Sequence, residues 1–109
     1  MTENKRITIK IAREFTECPG GRYRKNGPYS GEEFRDDHLI PKINELADGQ
    51  TLVVDLDDGD GYGESFLEEA FGGLVRKMGK SVIEKIEIIS NDEPELKDTI
   101  RKYMENANG

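Results

Sequence analysis

Residues 51–56, Thr-Leu-Val-Val-Asp-Leu, form a short and nearly continuous apolar run. Such a run suits a central strand covered on both faces, because a strand open to water on one side alternates apolar and polar residues. A strand of that kind needs neighbours and covering layers, and the flanking segments supply them. "RITIKIAREF" alternates, with Ile7, Ile9 and Ile11 opposite Arg6, Thr8 and Lys10, which reads as a half-buried strand near a sheet edge. "VIEKIEIIS" supplies a further strand through Ile86, Ile88 and Ile89. Between the turn clusters "CPGG" and "KNGP", the segment "RYRK" is expected to pair back as a hairpin strand.

Helical patterns separate these strands. "SGEEF" has capping-box spacing, Ser30 capping and Glu33 reaching back. The helix that follows carries Phe34, His38 or Leu39, Ile43 and Leu46 on one side. Pro41 is expected to kink or divide it, because proline lacks an N–H and crowds the preceding turn, and Gly49 marks its stop. A second Ser-x-x-Glu at 65–68 opens a helix with Leu67, Ala70, Phe71, Leu74, Val75 and Met78 in one stripe, ended by Gly79. Asp92 is the expected cap of a last helix, with Pro94 in its first turn and Leu96, Ile100, Tyr103 and Met104 inside; the tail 105–109 is expected to fray. The order is β-β-α-β-α-β-α. It predicts an α/β fold: a single small domain over residues 1–109 with a mixed four-stranded sheet and packed helices.

Charge and cysteine count exclude several functions. The 109-residue chain has a net charge of −7, which repels nucleic acid phosphates and argues against a DNA or RNA partner. One cysteine, Cys18, and one histidine, His38, are too few for a zinc site, and no internal disulfide is available. No apolar run approaches the roughly 20 residues that cross a bilayer, and no hydrophobic signal region follows "MTENKR". The expectation is a cytoplasmic protein with no metal, cofactor or membrane association.

The stretch "GDGYGESFLEEAFGG", residues 59–73, is the richest in candidate chemistry. Read as a calcium loop from Asp58, it has Asp60, and Glu69 in the twelfth position, but Tyr62 stands where a ligand belongs and a strand precedes it instead of a helix. Read as a nucleotide cradle, Gly59-x-Gly61-x-Gly63 lacks the dinucleotide fingerprint, and Asp57, Asp58 and Asp60 repel phosphate. Read as a nucleophile elbow, Gly63-Glu64-Ser65 lacks the closing glycine, Leu67 being in its place. The simpler reading is a tight turn, with Ser65 as an N-cap worth about 1 kcal/mol. Gly72 and Gly73 inside the helix each cost about 1 kcal/mol relative to alanine, which close packing on the sheet or a partner would offset.

Two segments carry a resemblance. "VVDLDDGDGYGESFLEEAFGGLVRKMG" and "GPYSGEEFRDDHLIPKI" resemble STAS-like domains of unknown function, relatives of the STAS domains of anti-sigma-factor antagonists. The resemblance implies a mixed sheet with packed helices, and a strand–loop–helix junction whose capping serine is phosphorylated by a histidine-kinase-like ATPase. Ser65 falls on that serine and Leu67 on the leucine after the motif. The Asp-Ser-Ser-Gly motif itself is incomplete, with Gly63, Glu64 and Phe66 replacing its other three residues.

The functional expectation is therefore a non-enzymatic regulatory interaction module. Its phosphorylation candidate is Ser65, and its partner-binding candidates are Asp58, Asp60, Tyr62, Glu64, Phe66 and Glu68. Phe66 has two readings, an exposed contact or a second row of the core. Arg22, Arg24 and Lys25 are the candidates to hold a phosphate or ligand if their hairpin lies near Ser65. The alternative is a small-molecule or nucleotide sensor using loop 59–65 with that hairpin as a basic wall. A third reading is hydrolysis through Ser65 and His38.

Overall fold

The computed structural model describes residues 5–107. Three strands, β1 (Arg6–Lys10), β2 (Thr51–Asp55) and β3 (Ile86–Ile89), form a sheet in the order β1-β2-β3 with both pairings parallel. The expected four-stranded mixed sheet is corrected to three parallel strands. The segment 22–25 makes no strand and forms a short 3-10 turn over Arg24–Asn26. Its backbone is used elsewhere: Gly20 N–H donates to Tyr29 O, Gly31 N–H to Gly21 O and Glu32 N–H to Arg22 O. Those bonds tie the segment to the start of the following helix, away from any sheet edge.

The parallel register sorts the strand side chains into two faces. Ile7, Leu52 and Ile86 lie abreast, as do Ile9, Val54 and Ile88, and these six enter the core shared with the helices. The other face carries Arg6, Thr8, Lys10, Thr51, Val53, Asp55 and Glu87. β2 is central as expected, but the main core lies on one face of it. Val53 is only 1% exposed yet stands outside the core cluster. Arg6 and Glu87 join across β2 on that second face, and Lys10 pairs with Asp55 at 3.3 Å.

After a one-turn helix α1 (Ile11–Glu14), helix α2 runs over residues 31–44. Ser30 Oγ accepts from Glu33 N–H at 3.0 Å, and Glu33 reaches back one residue beyond the cap, accepting from Tyr29 N–H. Pro41 neither divides nor ends this helix. Residues Arg35–Leu39 form a π turn, with Ile40 N–H donating to Arg35 O, so the missing proline donor falls where the ladder has already widened. Helix α3, residues 64–78, has a matching π turn over Glu68–Gly72 and ends at Gly79 with φ 91°. It is buried on most sides through Phe66, Leu67, Ala70, Phe71, Leu74 and Val75, because α2 and helix α4 (Glu95–Asn106) both pack on it.

The approach of α2 to α3 is set by Gly31. A Cβ there would stand 2.5 Å from Phe66 O and 3.2 Å from Ala70 N, both backbone atoms that cannot give way. The C-terminal helix starts later than expected. Asp92 does not cap it, since its carboxylate accepts from Asp58 N–H, and Pro94 holds the cap position. The tail is ordered further than expected, with Ala107 buried; Asn108 and Gly109 lie outside the described residues.

Candidate functional site

The carboxyl ends of the parallel strands and the start of α3 meet in one region, where ligands and partners of open α/β sheets are usually held. Loop 57–63 is tied down by its own acids. Asp57 accepts from Asn91 N–H at 2.7 Å, Asp92 N–H at 2.9 Å and Asn91 Nδ2 at 2.9 Å. The Asp92 amide, followed by those of Asn91, holds the Asp57 carboxyl below its ordinary 3.8. Asp58 adopts φ 73° and pairs with Lys10 at 3.1 Å. Asp60 accepts from the Cys18 thiol at 2.9 Å, which pushes that thiol's pKa up, and its N–H donates to Glu17 O. The loop's acids therefore face three different partners; among the described residues no group of His, Cys, Asp and Glu is arranged to hold a metal ion.

Tyr62 folds back over the loop. Its hydroxyl donates to Leu56 O at 2.8 Å, and burial, with Asp55 and Asp57 nearby, pushes the phenol's pKa far up. A Cβ on Gly59 would stand 2.8 Å from that hydroxyl, so the glycine makes room for the ring. Of the three loop glycines only Gly61, at φ 136°, uses a positive φ. Tyr62 thus closes the loop at Gly59, while Gly61 and Gly63 face open space.

The start of α3 differs from the expectation at two residues. Gly63 is the N-cap, and the first helical bond runs from Leu67 N–H to Gly63 O. Ser65 is thus the second helical residue, not the cap, and it is exposed along with Gly63 and Glu64. Phe66 is fully buried against Phe34, Phe15 and Tyr62, which selects its core reading and removes it from the surface contacts. His38 is half-buried, its ring 5.0 Å from that of Phe15 and 5.7 Å from that of Phe34, as part of the same aromatic cluster.

One turn beyond Ser65 lies a charge network that the sequence reading missed. Glu68 accepts from Arg22 at 2.6 Å and from Arg76 at 2.7 Å, and Arg76 chiefly holds its carboxyl below the ordinary 4.5. Glu69 pairs with the buried Arg35, and Arg22 and Arg76 stand 3.3 and 3.5 Å away. Arg35 also binds Asp36 at 2.8 Å, which in turn meets Lys77 at 3.4 Å. Four cations thus face three carboxylates, a local positive excess on an acidic chain. Of the expected phosphate-holding cations, only Arg22 reaches this place. Arg24 is bound to Asp37 at 2.8 Å and Lys25 lies over the Tyr23 ring.

The network also accounts for Gly72 and Gly73. A Cβ on Gly72 would stand 2.5 Å from Glu68 Oε2 and 3.3 Å from Arg76 Nη1. Gly72 is the slot through which Arg76 reaches back eight residues to Glu68. A Cβ on Gly73 would stand 2.6 Å from Arg35 Nη1, so that glycine makes room for the buried guanidinium. The expected packing role is right in kind, but the neighbour is an ion network and not the sheet. The sequence signal was Glu69, three and four residues ahead of Gly72 and Gly73, within an apolar stripe.

Residues 30–96, from the cap of α2 to the first turn of α4, match the family described as a STAS-like domain of unknown function. The chain belongs to this family. The match spans the whole α2–β2–α3–β3 unit of the STAS-like domain, including Ser65 and every member of the charge network except Arg22. Comparisons with curated proteins and with solved structures return no match. Among the described residues of this STAS-like domain, no helix is long and apolar enough to cross a membrane.

Proposed function

We propose that this STAS-like domain is a non-enzymatic regulatory module that docks a protein partner through loop 57–63 and the start of α3. The observation that carries the reading is Ser65: a hydroxyl exposed at the open start of the helix on which α2 and α4 pack. Asp58, Asp60 and Glu64 are exposed on the same loop and helix start, and Tyr62 holds the loop in shape through Leu56. A partner's kinase domain, of the histidine-kinase-like type by resemblance to STAS domains, transfers the γ-phosphoryl group of ATP to Ser65 Oγ. ADP leaves, and the hydroxyl proton passes to a base on the kinase. Near the start of a helix the added charge suits the dipole, while it alters the surface a partner reads. The sensor alternative has less support, because Tyr62 occupies the space beside Gly59 that a ligand of the loop would share.

Phosphopeptide mapping of the protein from its native cells, with a Ser65→Ala control, tests this. The expected result is phosphate on Ser65 in at least one growth condition, together with a partner whose capture changes on phosphorylation. An unmodified Ser65 throughout would remove the switch and leave a constitutive docking surface.

A further inference from the structure

Arg22 is one of two arginines on Glu68, and only one is needed to keep that carboxylate paired. Arg76 sits on the same helix, slotted past Gly72, and binds Glu68 with both terminal nitrogens, at 2.7 and 3.1 Å. Arg22 comes from another segment and divides itself between Glu68 and Glu69. Its backbone is fixed, since Arg22 O accepts from Glu32 N–H at 3.0 Å, while its side chain remains about a third exposed. The chain leading to it runs alongside the start of α3: Glu17 and Cys18 touch Asp60 at one end, and Arg22 touches Glu68 at the other. Ser65 lies between those two anchor points in sequence, and residues three apart on a helix have Cβ atoms about 5–6 Å apart.

We propose that Arg22 is the reader of phosphate on Ser65: when Ser65 is phosphorylated, the Arg22 guanidinium swings from Glu68 to the phosphate, and Arg76 alone retains Glu68. The inference rests on the reading of Ser65 as a phosphorylation site. The swing is a side-chain movement of roughly one helical turn with the backbone anchored, so the phosphate is accommodated without unfolding the loop or the helix. An arginine–phosphate pair is charge-assisted and forms two parallel bonds, which a divided contact with two carboxylates does not match. Glu69 loses only its more distant contact with Arg22, because Arg35 continues to hold it. Phosphorylation then stitches the 17–22 segment to α3, and presents a partner with a phosphate half-compensated by one guanidinium instead of a bare dianion.

The test is a phosphorus NMR titration of the full chain carrying phosphoserine at 65, installed by genetic encoding. A neighbouring guanidinium lowers the second phosphate pKa from its ordinary value near about 6. The expected midpoint lies about half a pH unit or more below that of the Arg22→Gln variant, while Arg24→Gln leaves it unchanged. Glu68→Gln, which releases Arg22 from its resting partner, is expected to lower the midpoint further. Equal midpoints in the parent chain and Arg22→Gln would overturn the proposal; should that variant fail to fold, a midpoint not lowered by Glu68→Gln would do so. Because the phosphate is installed, the outcome is independent of cellular phosphorylation. An unmodified Ser65 in cells would remove the switch while leaving this shift in place.

Discussion

Helices α2 and α3 begin with the same pattern, Ser-x-x-Glu, at 30–33 and at 65–68, and use it in opposite ways. At α2 the serine is fully buried and caps, and the glutamate turns back to the Tyr29 amide, steadying a residue held at φ 60°. At α3 the cap has moved to Gly63, the serine is exposed, and the glutamate turns forward to two arginines. One start is sealed and the other is open. The difference comes from what lies above each serine: Gly31 presses α2 onto the α3 backbone, whereas nothing in the described chain covers Ser65. A capping motif therefore becomes a surface site when a neighbouring glycine takes over the cap.

The largest test of this contrast concerns the ion pair that joins the two helices. Arg35→Met leaves Glu69 buried and short of its main partner, with an expected loss of about 3 kcal/mol in denaturant unfolding. The double change Arg35→Met with Glu69→Leu is expected to recover most of it, since no charge remains to be compensated. If the double variant is as unstable as the single one, the pair is not what couples α2 to α3. Next in size is Gly31→Ala, where the added methyl meets Phe66 O; a loss of about 1–3 kcal/mol is expected. A neutral result would mean that the sealed start tolerates more space than the geometry implies.

The serines themselves sharpen the comparison most directly. Ser30→Ala should cost about 1 kcal/mol, as the loss of a true cap does. Ser65→Ala should stay within about 0.5 kcal/mol, as an exposed non-capping change does. Equal losses in thermal or denaturant unfolding would put Ser65 back in a structural role. The smallest expected effect is in pH. The folded pKa of Glu68 lies below its unfolded value, so its contribution is complete above about pH 4.5 and fades as pH falls through the folded value. Glu68→Gln should therefore reduce the drop in stability between about pH 5 and 3, by less than about 1 kcal/mol for this partly exposed group. A drop of the same size in both proteins would place the acid sensitivity elsewhere, with Asp57 and Asp36 next, both lowered in the same direction.

Much of the architecture was legible because hydrophobic period reports burial. The stripe from Leu67 to Val75 and the stop at Gly79 stand where their patterns put them, and so do the three strands in order, although β1 gives way to a helical turn at Ile11 and residues 82–85 form a 3-10 turn ahead of β3. What the sequence hid was set by partners distant in the chain. "RYRK" has strand-like turns around it, but its backbone is bonded to residues 29–32. Pro41 looked like a break, yet a π turn ahead of it removes the conflict. At the candidate site, Ser65 and the acidic loop could be picked out from the residues. The exposure of Ser65 depended on Gly63, and the pairing of Arg22 with Glu68 joins residues 46 apart, which no local pattern encodes. Phe66 was undecided for the same reason, since its fate depends on Phe34 and Phe15 from other elements.

The all-parallel register has a consequence for how the chain acquires its structure. Arg6 pairs with Thr51 and Val54 with Ile88, so every rung of the sheet joins segments separated by a helix, and no hairpin is available to form early. Such topologies close slowly, on a scale of roughly milliseconds to seconds, because the loop entropy is lost before the contacts are gained. During synthesis β1 emerges long before its partner, with Ile7 and Ile9 exposed on one side. The alternating Arg6 and Lys10 then act as gatekeepers against pairing with other chains until β2 arrives. The same two residues later close the outer face of the sheet through Glu87 and Asp55, so the charges that guard the nascent strand become the latch of the finished one.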